Sequence, residues 1–165
     1  MIETPRGAIA KLKYEPELHA FALSRRLRKG LAYPYDWGFV PGSCAPDGDP
    51  LDSLVLHDLA TYPGVVMLCR PIGCLQVEQT EDGRRFRNDR VIFVPWETAD
   101  SGHMTDIRQM PAGEKEALEH SFEASVEGTG KSLQFLGWRG AATARREVEQ
   151  AIRRHEQAKH ASDGG

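Results

Sequence analysis

Proline and glycine punctuate the first 95 residues so closely that no long helix fits there. Between them lie short runs of strand-forming residues at 10–14, 20–23, 51–56, 65–69, 73–77 and 91–94. Short strands with frequent turns suit a small closed barrel rather than alternating βαβ units. Pro71, inside an apolar stretch, predicts a bend or an edge position. Beyond the loop 98–110 the apolar period lengthens. Pro111 opens an expected helix to about residue 126, with Leu118, Phe122 and Val126 at i, i+4 and i+8 facing the barrel. A strand near 133–136 precedes a second helix from about 141 to 158. Its apolar face is Ala141, Ala144, Val148, Ala151 and Ile152, with Glu149 and Arg153 as a favourable pair. The expected fold is α+β: a small closed β-barrel with two C-terminal helices packed against it. At 165 residues the chain supports one core, so 1–160 is read as a single domain and 161–165 as a flexible tail.

Residues 47–52 read Asp-Gly-Asp-Pro-Leu-Asp and run into the apolar stretch Ser53-Leu54-Val55-Leu56. Clustered carboxylates repel and raise one another's pKa, so a folded chain rarely gathers them without a cation to hold. Mg²⁺ takes oxygen ligands and commonly binds through a few carboxylates plus substrate phosphates. A solvated acidic turn is the ordinary meaning of Asp-Gly, but the third carboxylate and the strand behind it favour a site. An EF-hand loop is excluded: its fifth position would be Leu51, its sixth Asp52, and its twelfth, Asp58, lies beyond the apolar run. Upstream stand the aromatic segment from Tyr33 to Pro41, the basic run Arg25-Arg26-Leu27-Arg28-Lys29, and Glu3, Lys11 and Lys13. Phe39 and Val40 are expected in the core, whereas Tyr33 and Trp37 carry polar tips that suit a site. The first third thus holds acids for metal and bases for phosphate.

This combination resembles the soluble inorganic pyrophosphatases of family I. The matching residues are Asp47, Asp49, Pro50, Leu51 and Asp52, with Ile2 to Gly7, Lys11, the Tyr33–Pro41 segment, Cys69 to Gly73 and Arg87 to Arg90 in the same order. The resemblance ends near Trp138. It implies an OB-like barrel and Mg²⁺-dependent hydrolysis of inorganic pyrophosphate to two phosphates by a metal-activated water. By resemblance Asp49 looks like the catalytic base, Asp47, Asp52 and Asp89 like metal ligands, and Lys11, Arg25, Tyr33 and Glu3 like substrate-binding groups. A symmetric homo-oligomer is implied as well.

The chain departs from that family's pattern at several positions. Trp37 stands where a tyrosine is common, and Lys13 where a carboxylate is common. Asn88 aligns with a ligand aspartate and Asp89 sits beside it, behind a lengthened loop at Thr80 to Gly83. Arg90 replaces a lysine, keeping charge and changing geometry. Ser125-Val126 occupies the place of a phosphate-clamping Tyr-Lys pair. The alternative reading is the same barrel retuned to another phosphate compound, or to non-catalytic phosphate or metal binding.

Composition narrows the remaining classes. The chain is 40% hydrophobic and 27% charged, ordinary globular usage, and its net charge of −3 argues against nucleic acid as a partner. No apolar run reaches the ~18 residues of a membrane span, and no secretory signal is expected at the amino terminus. Cys44, Cys69 and Cys74 have no metal-finger spacing, which suits reduced core thiols and a cytoplasmic location. The six histidines show no paired ligand spacing; His57, directly after the acidic strand, is the one near the motif. No Gly-x-Ser-x-Gly elbow supports a serine nucleophile.

Overall fold

The computed structural model describes residues 1–96 and 104–163. Nine strands and two helices follow in order: β1 Ile2–Thr4, β2 Ala10–Glu15, β3 Ala20–Arg26, β4 Asp36–Phe39, β5 Asp52–Val55, β6 Cys69–Glu81, β7 Arg84–Arg87, β8 Arg90–Pro95, α1 Ala112–Val126, β9 Ser132–Gly140 and α2 Ala141–Asp163. The main sheet runs β1-β4-β5-β8-β6-β7, with β9 also paired to β6. Among the described residues only β5 and β8 pair in parallel. All six residues of β8 are buried, which explains its unbroken Val91-Ile92-Phe93-Val94 run: a strand covered on both faces has no polar side to present. Alternate side chains serve two cores. Ile92 and Val94 join Leu54, Leu75, Leu118 and Phe122 beneath α1. Val91 and Phe93 join Val55, Cys74, Ala144 and Ala151 beneath α2.

β2 and β3 form a separate hairpin that docks on β1 through side chains. The Thr4 hydroxyl donates to the Leu12 carbonyl and accepts from the Leu12 N–H, both at 3.0 Å. Glu3 accepts the Tyr14 N–H at 2.8 Å. Among the described residues the ladders form an open path, and side-chain bonds join the hairpin to β1. Close approach of β1 to β4 requires Gly38, because a Cβ there would overlap the Met1 carbonyl.

Strands at 10–14 and 20–23 are longer than expected, and those at 65–69 and 73–77 resolve differently. Residues 65–67 lie outside any strand, while β6 runs through Pro71 to Glu81. Pro71 pairs with Phe93 beside a register shift, and β9 joins only from Gly73, so the missing N–H costs no ladder bond on that side. The aromatic segment holds β4, which its Pro and Gly content had disguised. Helix α1 matches its expected span, with Leu118 and Phe122 buried. On α2, Ala141, Ala144 and Ala151 are buried but Ile152 is 37% exposed, correcting its place on the inner face. The helix also continues through Asp163, so 161–163, expected as a flexible tail, is helical; Glu156, Gln157, Ala158 and Lys159 just before it propagate a helix well. Residues 164–165, and 97–103, which include the start of the expected 98–110 loop, lie outside the described residues.

Candidate functional site

The acid motif is a tight turn moored to both the sheet and α2. Ala45 N–H donates to the Asp49 carbonyl at 2.7 Å, Gly48 N–H to the Ala45 carbonyl at 3.1 Å, and Asp49 N–H to Asp47 Oδ1 at 3.1 Å. Gly48 holds φ of 92°, a conformation L side chains rarely adopt. Buried Leu51 anchors the turn's end, its N–H donating to Ser43 Oγ at 2.9 Å. Cys44 N–H donates to the Ala151 carbonyl, and Arg154 Nε donates to the Cys44 carbonyl at 2.8 Å. The result places Asp47, Asp49 and Asp52 on the wall of one pocket of about 800 Å³. The Asp47 carboxyl titrates above the usual range, chiefly through lost hydration, partly offset by the Asp49 N–H and reinforced by the charges of Asp52 and Asp49.

The docked hairpin brings Lys11, Lys13 and Arg25 to the same pocket, opposite the acids. Lys11 lies 6.0 Å from the Trp37 ring centre. Burial lowers its pKa, with Asp52 opposing the shift and Arg25 and Arg90 adding to it. No carboxylate among the described residues comes within ion-pair distance of Lys11 or Arg25. Arg25 Nη2 instead donates to the Ser125 carbonyl in the last turn of α1. Glu3 is buried and its carboxyl raised, by burial first, against the lowering effect of the Tyr14 N–H. Burial pushes the Tyr33 hydroxyl up to about 12, so it serves as a protonated donor at neutral pH. Tyr33, Trp37 and Phe122 form an aromatic floor, with Trp37 and Phe122 edge to face at 5.7 Å.

A polar chain closes the third wall. Arg90 Nη1 donates to Asp52 Oδ2 and to Asn88 Oδ1; Asn88 Nδ2 donates to Gln79 Oε1 at 3.2 Å, and Gln79 Nε2 to Glu81 Oε2 at 3.0 Å. Glu81 in turn pairs with Lys131 Nζ at 2.7 Å. Asp89 stands apart from the other expected ligands. It does not line the pocket, because extended backbone turns neighbours to opposite faces and Asn88 and Arg90 face in. Its carboxylate accepts the Val77 N–H at 2.9 Å and both donors of Arg87. Ser125 and Val126 do line the pocket, but Ser125 Oγ donates back to the Phe122 carbonyl at 2.8 Å. His57 is outside it: Leu59 N–H donates to Nδ1 at 3.2 Å, so Nε2 carries the hydrogen that Asp36 accepts at 2.8 Å.

The sequence did not single out Arg84 and Lys131, which also line the pocket. Their strand end and Gly-Thr-Gly-Lys turn look like ordinary surface until the chain folds. The lining cations Lys11, Lys13, Arg25, Arg84, Arg90 and Lys131 equal in number the carboxylates Glu3, Glu15, Asp47, Asp49, Asp52 and Glu81. Such a wall suits a polyanion accompanied by a cation. The donors are hard oxygens, yet no three His, Cys, Asp or Glu side chains among the described residues form a ready metal cluster. The carboxylates therefore fit an ion that keeps water and takes phosphate oxygens, as Mg²⁺ does, rather than a closed protein cage.

Comparison with known proteins agrees with this geometry. Residues 1–156 match the family model described as inorganic pyrophosphatase. An inorganic pyrophosphatase of Thermus thermophilus is 39% identical over 158 residues, spanning 94% of this chain and 88% of that one. One from a Nostoc species is 33% identical, spanning 93% and 88%. Among solved structures, the Thermus thermophilus inorganic pyrophosphatase superposes with a TM-score of 0.85 at 39% identity, covering 94% of this chain and 88% of the other. The Helicobacter pylori inorganic pyrophosphatase gives 0.84 at 29% identity, with 94% and 91% covered.

Proposed function

Because the chain belongs to the inorganic pyrophosphatase family, we propose that it hydrolyses inorganic pyrophosphate to two phosphates in this pocket, with Mg²⁺ as cofactor. The observation that carries the reading is the meeting of Asp47, Asp49 and Asp52 with Lys11 and Arg25 across one cavity. Asp47 and Asp52 hold the cation, Asp52 sharing its charge with Arg90. Bound Mg²⁺ acidifies water and neutralises phosphate charge. Asp49, exposed and with no cation partner among the described residues, accepts the proton of the attacking water. Lys11 and Arg25 orient the phosphates, supplying positioning and charge, most of what phosphoryl transfer needs. Lys11 is half-buried, so an arriving phosphate meets a cation that has already lost part of its hydration. Tyr33 adds a hydroxyl donor, and Glu3 fixes the hairpin that carries Lys11. Asp89, turned away and tied to Arg87, contributes from behind the wall.

Phosphate release from pyrophosphate should require Mg²⁺, stop on adding EDTA, and exceed release from tripolyphosphate and nucleoside triphosphates. No release from any of them would defeat the reading. Faster release from a larger compound would favour the alternative of a retuned pocket. One observation supports that alternative: about 800 Å³ lies in the upper range of sites that enclose drug-sized ligands, and Ser125 and Val126 line it on the α1 side without a charged group. The homo-oligomer, the cytoplasmic location and closure of the strands into an OB-like barrel belong to the same family-based proposal.

A further inference from the structure

Where α1 ends, the pocket wall carries no charge: Phe122, Ser125, Val126 and Thr129 line it there. Both hydroxyls are committed to the helix itself. Ser125 Oγ donates to the Phe122 carbonyl at 2.8 Å and Thr129 Oγ1 to the Val126 carbonyl at 2.5 Å. The first cation beyond them is Lys131. Gly128 and Gly130, at φ of 77° and 76°, turn the chain sharply between α1 and β9. The β6–β9 register pairs Gln79 with Leu133 and Thr80 with Ser132, so Lys131 falls opposite Glu81 at the end of the ladder. Their side chains meet at 2.7 Å, both on the pocket wall. The other Glu81 oxygen accepts Gln79 Nε2 at 3.0 Å. The Lys131 ammonium first, then the Gln79 amide and the charge of Lys11, hold the Glu81 carboxyl below its usual range. Lys11 and Lys131 therefore act on one carboxylate.

We propose that Lys131 is a further phosphate-binding residue with Glu81 as its resting partner: entering pyrophosphate takes the ammonium from the carboxylate and gains a cation on the α1 side of the pocket. This rests on the reading of the pocket as a pyrophosphate site. An ammonium has three donors, and among the described residues only Glu81 pairs with this one. The two side chains are 32% and 35% exposed, so water screens the pair and holds it weakly. A pyrophosphate bearing several negative charges is a stronger partner for the ammonium than one screened carboxylate. Glu81 keeps its bond from Gln79 when Lys131 leaves.

Steady-state hydrolysis of pyrophosphate by the full chain at saturating Mg²⁺ separates phosphate binding from a bracing role. Lys131→Gln should raise KM about tenfold or more, the loss of one charged hydrogen bond, with kcat within about threefold. Lys131→Met, which keeps the apolar stem, should give the same rise, and Lys131→Arg should stay close to the unaltered protein. Glu81→Gln keeps an acceptor for Gln79 but removes the competing charge, so its KM should stay level or fall. If the ion pair only braced the wall, Glu81→Gln and Lys131→Gln would raise KM alike, and that result would overturn the proposal. An unchanged KM in Lys131→Gln would overturn it as well, leaving the functional reading intact. No turnover by the unaltered protein would remove the functional reading and this proposal together.

Discussion

At the scale of single residues, a carboxylate's surroundings separate its roles. Asp49 is exposed and its carboxylate has no ion-pair partner among the described residues, whereas Asp52 is tied to Arg90 and Glu3 is buried against the Tyr14 N–H. Asp49→Asn keeps size and oxygen but cannot accept a proton; turnover should fall roughly 10²–10⁴-fold at saturating Mg²⁺ with little change in melting temperature. Near-normal turnover in steady-state kinetics would place the base elsewhere. Glu3 makes a prediction of opposite kind. Its folded pKa is raised, so the folded state binds its proton more tightly than the unfolded state. Its contribution to stability is therefore full below the ordinary carboxylate pKa and is lost as pH rises through the raised value. Glu3→Gln retains an acceptor for Tyr14. In metal-free thermal melts, the variant should gain on the unaltered protein between about pH 4 and pH 7, since ~4.3 is the ordinary Glu value. A pH-independent difference would count against the raised value.

Among the elements, the site depends on moorings outside it. The acid turn hangs from the middle of α2 through Cys44 and Arg154, and α1 is tied to β9 where Trp138 Nε1 donates to Glu119 Oε1 at 2.6 Å. The start of α2 is itself capped from a distance. Asp106 accepts the Arg108 N–H at 2.9 Å in the short turn Ile107–Gln109 and the Ala141 N–H at 3.0 Å. The Arg108 side chain first, then those two N–H groups, hold its carboxyl well below the usual range. Asp106→Ala should lower stability by ~1–2 kcal/mol, the cost of a lost cap, seen as a lower urea midpoint with an unchanged slope. Arg108 is exposed, and Arg108→Ala should change the midpoint far less. Equal losses from the two variants would mean that the ion pair, not the cap, matters.

For the whole molecule, the helices cover both faces of the sheet but leave an apolar edge. Val66 is 70% exposed, Leu68 77% and Trp96 61%, and Trp96 N–H donates to the Leu68 carbonyl, so Leu68 and Trp96 are neighbours. Contiguous exposed apolar groups of this kind favour association, and closed symmetry is the common way to bury them. Light scattering after size exclusion should give a multiple of 18.4 kDa at micromolar concentration. A mass of one chain would refute the homo-oligomer, and Trp96→Glu should shift the mass downward if this edge is the interface.

The sequence by itself determined what depends on neighbours along the chain. The helical period of Leu118 and Phe122, the turn chemistry of Asp47 to Asp52, and the strand content of 10–14, 20–23 and 91–94 are local, and all appear in the fold. Asp47, Asp49, Asp52, Glu3, Lys11, Lys13 and Arg25 were equally legible as residue types, whereas Arg84 and Lys131 were not. Only the tertiary structure decided which of them meet. Nothing local makes Asn88 face the pocket while Asp89 turns to Arg87, or brings Lys131 to Glu81 and Arg25 to the end of α1. Pairing across the sheet set those choices, because strand faces alternate and one residue of register decides which side chain faces the pocket. Pro71 was read correctly as a bend or edge position, whereas the Pro- and Gly-rich segment around β4 was missed as a strand for the same reason. Their cost as strand residues depends on which side is paired, and that is settled by partners far away in sequence.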